Sequence, residues 1–107
     1  MQASALIVAA GRGQRMGAGR NKLLLPLAGE PVLSHTLSLF EGIPEIGEVV
    51  LVIAAQDEPA LQPILRERGT KLPLRLVYGG SERMESVWRG LQVVECPYVL
   101  VHDGARP

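Results

Sequence analysis

The residues of this chain that could do chemistry begin with one cationic, glycine-rich loop. Ala9-Ala10-Gly11-Arg12-Gly13-Gln14-Arg15-Met16 follows an apolar run, Ala5-Leu6-Ile7-Val8, and Lys22 lies a short way beyond. From Gly11 to Lys22 the loop holds Arg12, Arg15, Arg20 and Lys22 and no acid. Glycines let a backbone approach a ligand closely and turn its N–H groups inward. Fixed positive charge beside such amides suits a polyphosphate. Arginine grips phosphate oxygens in a bidentate fork, and lysine supplies a mobile point charge. Phosphoryl or nucleotidyl transfer needs charge stabilised on equatorial oxygens more than it needs covalent help. Arg15 and Lys22 are the two cations assigned to that task; Arg12 and Arg20 are expected to be exposed.

Two familiar phosphate loops fit less well. The Gly-Lys-Ser/Thr ending of a P-loop is absent. A dinucleotide fingerprint needs G-x-G-x-x-G, whereas Gly11, Gly13 and Gly17 leave one residue too many, with Met16 in the place of the third glycine. Glu30 lies at nearly the distance of a ribose-binding acid but falls in a Gly29-Glu30-Pro31 turn, so a dinucleotide-binding oxidoreductase is disfavoured. On glycine spacing alone a solvated surface turn stays open.

Other reactive groups follow later. Asp103 ends an apolar run and precedes Gly104, which suits a Mg²⁺ ligand beside a polyphosphate or, equally, a cap for the next turn. Arg106 stands close by and could bind an anionic second substrate. Gly79-Gly80-Ser81 can approach a flat ligand such as a base, or serve only as loop and cap. Ser86, one turn into the following helix, could point back to the same place. Arg83 reaches the same edge or is solvated. His102 is given no role, His35 is structural or exposed, and Met84 and Trp88 are assigned to the core on their helical spacing.

These groups must be placed by secondary structure. Continuous apolar runs at Ala5–Ala10, Val49–Ala54, Leu74–Tyr78 and Tyr98–His102 predict parallel strands buried on both faces. Val32, Leu33, Thr36, Leu37 and Phe40 have helical spacing, as do Met84, Val87, Trp88 and Leu91. Ser81 is a candidate N-cap for the latter helix, with Glu82 and Glu85 in its first turn. Over Asp57–Arg68, Asp57 can cap and Pro59 suits a first turn, but Pro63 predicts a short or bent helix. Leu23–Leu27 reads as a short extended piece leading into a turn. The order implies an α/β sandwich with a parallel sheet and right-handed crossovers, in which ligands bind at the carboxyl ends of the strands. Three of the four carboxyl ends carry the residues named above. The chain stops at Pro107, just after the fourth strand, which would leave an open edge and predicts a fragment of a longer domain or a covering partner.

At 107 residues the chain is one domain at most. Eleven basic and eleven acidic side chains cancel, so a nucleic-acid-binding surface is not expected and the basic loop is a local feature. Cys96 is alone, which fits a reducing cytoplasm and a small buried apolar role. The N-terminal apolar run is too short for a signal or a membrane span.

Three motifs together resemble the 2-C-methyl-D-erythritol 4-phosphate cytidylyltransferases. They are Ala9-Ala10-Gly11-Arg12-Gly13-Gln14-Arg15-Met16 with Lys22, Gly79-Gly80-Ser81-Glu82-Arg83 with Ser86-Val87, and Val101-His102-Asp103-Gly104-Ala105-Arg106-Pro107. The first belongs to nucleotidyltransferases at large; the other two are more specific, and order and spacing match along essentially the whole chain. The resemblance implies a Rossmann-like nucleotidyltransferase fold, a three-layer sandwich with a mainly parallel sheet, truncated after the fourth strand. It implies that residues 1–107 are the nucleotide-binding N-terminal part of a single domain whose C-terminal half is absent. It implies transfer of CMP from CTP to 2-C-methyl-D-erythritol 4-phosphate, giving 4-diphosphocytidyl-2-C-methyl-D-erythritol and pyrophosphate in non-mevalonate isoprenoid synthesis. Ribitol-5-phosphate cytidylyltransferase and a catalytically incomplete nucleotide-binding fragment are the alternatives.

By the same resemblance, Ala9, Ala10, Gly11 and Gly13 lie along the nucleotide, and Arg15 and Lys22 stabilise the transition state. Gly80, Ser81 and Ser86 read cytosine and its surroundings, Gly104 lies near the ribose, Arg106 near the acceptor, and Asp103 helps hold Mg²⁺. A cytoplasmic homodimer without membrane or nucleic-acid partners is implied for the full-length form. The sequence departs from the family at Ser81, where an acid is common, at Asn21, where a proline often precedes the lysine, and at Leu23, where glutamine is common. Members run to roughly twice this length. The remaining half would carry further acceptor-binding residues, another metal-side acid and the dimerisation arm.

Overall fold

Apolar runs that are buried on both faces form the centre of this protein. The structure, a computed structural model, describes residues 2–10, 15–16 and 20–103, with only the backbone at 15, 16 and 20. Strand β1 (Ala3–Ala9) leads to a small antiparallel ribbon of β2 (Arg15–Met16) and β3 (Arg20–Asn21). A 3₁₀ turn over Lys22–Leu24 follows. Next comes a short hairpin of β4 (Pro26–Leu27) and β5 (Glu30–Pro31). Its turn residues Ala28 and Gly29 both have positive φ, 54° and 86°, the pattern of a tight hairpin turn. The chain then continues through α1 (Val32–Glu41), β6 (Ile46–Ile53), α2 (Glu58–Arg68), β7 (Leu74–Tyr78), α3 (Arg83–Leu91) and β8 (Tyr98–Asp103).

The four long strands form one sheet in the order β7-β6-β1-β8, with every pairing parallel. The strands predicted from sequence are all present; β1 and β6 begin earlier than expected, at Ala3 and Ile46. Side chains of β1 alternate between two cores. Ala5, Ile7 and Ala9 join Leu33, Leu37 and Phe40 of α1 and Leu61 of α2 on one face. Leu6, Val8 and Ala10 join Val50, Val52 and Val87 on the other. Helices therefore cover both faces, which gives the three layers.

Two helices differ from expectation. The α2 helix runs unbroken through Pro63. Proline removes one helical N–H, but Pro59 and Pro63 are both exposed, so water can take the freed carbonyl of Pro59. Leu61, fully buried, ties this helix to the core, and tertiary packing outweighs the local penalty. The second difference is in α3, where Met84 and Trp88 face solvent at 82% and 64% exposure rather than joining the core. Its inner face is Ser86, Val87 and Gly90. A side chain on Gly90 would collide with Leu6, so glycine lets the helix lie close to the sheet. Spacing identified an apolar stripe correctly but not the direction in which it points. The described strands also leave the outer edge of β8 unpaired, beside exposed Tyr98, Leu100 and Val101. Cys96 is a free, half-buried thiol.

At the amino end of the sheet a buried carboxylate ties the strands together. Glu48 accepts from Ser4 Oγ at 2.5 Å and from the Glu95 amide at 2.7 Å, while Ser4 Oγ accepts from the Cys96 amide at 3.3 Å. This fastens the entry to β8 onto β1 and β6. Burial alone would raise the Glu48 pKa, but the Ser4 and Glu95 hydrogen bonds and the nearby Arg75 charge prevail and hold it below the usual carboxylate value. Glu41 is lowered as well, chiefly by its paired bonds to Arg68 at 2.6 and 3.0 Å. A depressed folded-state pKa contributes stability that is present above the unfolded value and lost as pH falls through the folded one. Denaturant unfolding should therefore show a protein stable at neutral pH that weakens in acid, below about pH 4.5. Glu48→Gln should remove part of that acid dependence; a variant with the unchanged pH profile would contradict the role given to this carboxylate.

Candidate functional site

Parallel register brings the carboxyl ends of the strands to one edge. Ala9 is paired with Ile53, Ile53 with Tyr78, and Val8 with Asp103. The next strand in sequence after β1 is added on one side of it, β6, and the last on the other, β8. A crevice at such a switch point is the usual ligand site of an open α/β sheet. Ala9 and Ala10 are buried, one in each core, and bring the glycine-rich loop to the middle of this edge.

The loop returns to the sheet through Asn21. This side chain is almost fully buried, and all of its amide is used. Nδ2 donates to the Ala9 carbonyl at 2.8 Å and to Asp57 Oδ2 at 3.0 Å. Oδ1 accepts from the Leu23 amide at 2.9 Å and so caps the turn that carries Lys22. Leu23 is fully buried, and the Lys22 carbonyl accepts from the Leu25 amide at 3.2 Å. Lys22 is therefore held on a backbone fixed at both sides. Neither Asn21 nor Asp57 was singled out from sequence: Asn21 stood out only as a departure from a family proline, and Asp57 only as a helix cap. Asp57 does precede α2, but its side chain makes no capping bond there.

The second motif forms a tight turn above the α3 face of the sheet. Ser86 is fully buried; its hydroxyl accepts from the Gly80 amide at 3.1 Å and lies 3.3 Å from the Gly80 carbonyl. The Gly79 amide donates to the Ile53 carbonyl at 2.8 Å. A Cβ on Gly79 would stand 2.5 Å from Ser86 Oγ, 2.7 Å from Val52 Cγ1 and 2.8 Å from Ala10 Cβ. Gly79 is thus pressed against Ala10 at the start of the first loop, while Gly80 is fixed by Ser86 and lies against the Glu85 side chain. Arg89 Nη1 approaches the Tyr78 and Gly79 carbonyls at 3.4 Å and its Nη2 pairs with Glu85 at 2.7 Å. Ser81 is exposed and is not the helix cap; Glu82 takes that position, without a side-chain capping bond.

Asp103 closes β8, on the strand neighbouring β1. Alternation along β8 places it on the face that carries Val99, which packs in the α3-side core. His102 turns to the other face and meets Phe40 edge-on, with ring centroids 5.2 Å apart. Burial lowers its pKa, against the opposing charge of Asp103, so the ring is neutral and packed at physiological pH. His35 is structural too: its Nε2 lies 2.5 Å from the Leu27 carbonyl and pins the hairpin to α1.

Among the described residues no three His, Cys, Asp or Glu side chains gather as a metal cage. Among the described residues this edge carries the carboxylates of Asp103 and Asp57, and Asp57 is engaged with Asn21; a single carboxylate such as Asp103 fits Mg²⁺, an ion commonly bound by one or two carboxylates with the remainder from phosphates and water. Gly11, Gly13, Gly104 and Arg106 lie outside the described residues, as do Arg12 and the side chains of Arg15 and Arg20. The backbone of Arg15 is described and pairs with Asn21. Gly79→Ala should destabilise the fold by about 1–3 kcal/mol, as an overpacked core site does. Chemical denaturation measures this, and an unchanged midpoint would contradict the tight packing described.

Comparison with known proteins identifies the family. Residues 3–107 match the family model described as 2-C-methyl-D-erythritol 4-phosphate cytidylyltransferase. The chain is 48% identical over 105 residues to the protein of that name from Alkaliphilus metalliredigens, covering 95% of this chain and 44% of the relative. It is 45% identical over 103 residues to the one from Gloeobacter violaceus, covering 94% and 44%. The crystal structure of 4-diphosphocytidyl-2C-methyl-D-erythritol synthase from Anaerococcus prevotii superposes with a TM-score of 0.78 at 34% identity, covering 99% of this chain and 44% of that one. The chain thus spans somewhat less than half the length of the curated relatives it matches. On the match of the family model over residues 3–107 and the similarity of sequence and fold to these relatives, the chain belongs to the 2-C-methyl-D-erythritol 4-phosphate cytidylyltransferase family.

Proposed function

We propose that this chain supplies the nucleotide site of an enzyme that transfers CMP from CTP to 2-C-methyl-D-erythritol 4-phosphate. The supporting observation is the convergence of Ala9–Ala10, the Lys22 turn, the Gly79–Gly80 turn and Asp103 on one sheet edge, in a chain of this family. An oxygen of the acceptor phosphate attacks the α-phosphorus of CTP in line. The bond from that phosphorus to the bridging oxygen breaks, and pyrophosphate leaves with the electron pair. The products are 4-diphosphocytidyl-2-C-methyl-D-erythritol and pyrophosphate. Charge gathers on the oxygens of the α-phosphate during this step, and Arg15 and Lys22 stabilise it. Amides of Ala10, Gly11 and Gly13 line the triphosphate. The Gly80 backbone, fixed by Ser86, reads the cytosine edge with Ser81, while Gly104 lies by the ribose and Arg106 by the acceptor. Asp103 would hold Mg²⁺, which would supply positive charge to offset that of the phosphates.

The remainder of such an enzyme packs on the unpaired edge of β8 and on the exposed stripe of Met84, Trp88 and Leu91. Support for this comes from the share of the relatives that the chain spans and from the apolar character of that surface. Turnover then requires that remainder, which contributes the rest of the acceptor pocket. In the full-length enzyme, Lys22→Ala and Asp103→Asn should each lower kcat by about 100-fold or more. Phosphorus NMR of CTP, acceptor and Mg²⁺ measures this as the appearance of pyrophosphate. Turnover within about threefold of wild type in both variants would overturn these roles. Faster reaction of ribitol 5-phosphate than of methylerythritol phosphate would reassign the acceptor.

A further inference from the structure

We propose that Asn21 is a positioning residue for Lys22, acting with Asp57 to hold the neck of the glycine-rich loop closed. The inference rests on the reading of Lys22 given above and adds the means by which that lysine is placed. Ala9 is the last residue of β1, and Asn21 ends the ribbon by which the loop comes back. Nδ2 of Asn21 holds the Ala9 carbonyl, so one buried amide ties the departure of the loop to its return. The second hydrogen of the same nitrogen is held by Asp57, beyond the carboxyl end of β6, which fixes the rotation of the amide. With the rotation fixed, Oδ1 can only face the Leu23 amide, and this starts the 3₁₀ turn at Lys22.

The arrangement goes beyond what a turn cap requires. A cap needs Oδ1 alone; here both Nδ2 hydrogens are also used, inside the protein, and one partner lies 36 residues away in sequence. A carboxylate acceptor makes that bond stronger and more directional than a neutral one. Leu23, buried in the α1-side core, prevents the turn from sliding. The lysine backbone is therefore referenced to two strands of the sheet, β1 and β6, rather than to a free loop. Displacement of a catalytic group by about 1 Å is enough to reduce turnover by about 100-fold.

Full-length enzyme carrying Asn21→Ser tests this, because serine still caps the Leu23 amide but is too short to reach Asp57. We expect kcat to fall by about 10- to 100-fold, with KM for CTP changed by less than about threefold. Asn21→Asp opposes two carboxylates, and N21D/D57N re-forms the bond between positions 21 and 57 with donor and acceptor exchanged, while the bond to the Ala9 carbonyl stays lost. The double variant should turn over about fivefold or more faster than N21D alone. In a Lys22→Ala background Asn21→Ser should produce no further loss. Wild-type kcat in Asn21→Ser would overturn the proposal, as would a full additional loss in the Lys22→Ala background or a double variant that regains melting temperature but not turnover. A Lys22→Ala enzyme that itself turns over normally would instead defeat the assigned role of Lys22, so the two failures are distinguishable.

Discussion

The carboxyl edge of the sheet depends on the burial of β1. Its residues from Ser4 to Ala9 are closed off from water on both faces, and its backbone is paired in parallel with β6 on one side and β8 on the other. No backbone polar group in such a strand can turn to solvent, so each must be satisfied by the neighbouring strands. Where the ladder runs out, at Ala9, the obligation passes to side chains and loops. The Asn21 amide takes it up at the Ala9 carbonyl.

The two ends of the sheet solve different problems with similar means. At the amino end, Glu48 gathers Ser4 and the Glu95 amide and so fastens β8 to the centre. At the carboxyl end, Asn21 gathers Ala9, Asp57 and Leu23, and Ser86 gathers both backbone groups of Gly80. Each is a buried polar group with its partners in place, a condition under which such groups specify geometry rather than weaken a core. The result is a sheet whose small residues Ala9, Ala10 and Gly79 pack closely at its carboxyl end, with polar clasps holding the surrounding backbone.

Much of this was legible in the amino-acid sequence. All four strands showed as continuous apolar runs, but only β1 and β6 are buried on both faces as those runs led one to expect; β7 and β8 flank them and are partly exposed. Helix α1 showed through its spacing. Lys22, Asp103 and the glycine pair stood out by residue type, and the structure places their backbone close to the carboxyl ends of the strands; the side chain of Arg15 lies outside the described residues. What stayed hidden was pairing between distant positions. Nothing local to Asn21 says that its partner is Asp57, and nothing local to Ser86 says that it clasps Gly80 rather than facing outward. Met84 and Trp88 misled for a related reason: periodicity marks a stripe on α3, while Gly90 and Ser86, which carry little apolar signal, form the face that fits the sheet. Pro63 misled because its effect on a helix depends on whether water can reach the carbonyl that it frees.

We propose that the carboxyl edge of this sheet binds the nucleotide. The most direct measurement is the perturbation of backbone amide signals in the isotope-labelled protein when CTP and Mg²⁺ are added. The account predicts that Ala10, Lys22, Gly79, Gly80 and Asp103 shift together and saturate at one concentration, while Glu48 and Glu95 at the opposite end do not move. Shifts centred on the amino end, or saturable binding that leaves the five carboxyl-edge amides unchanged, would contradict it.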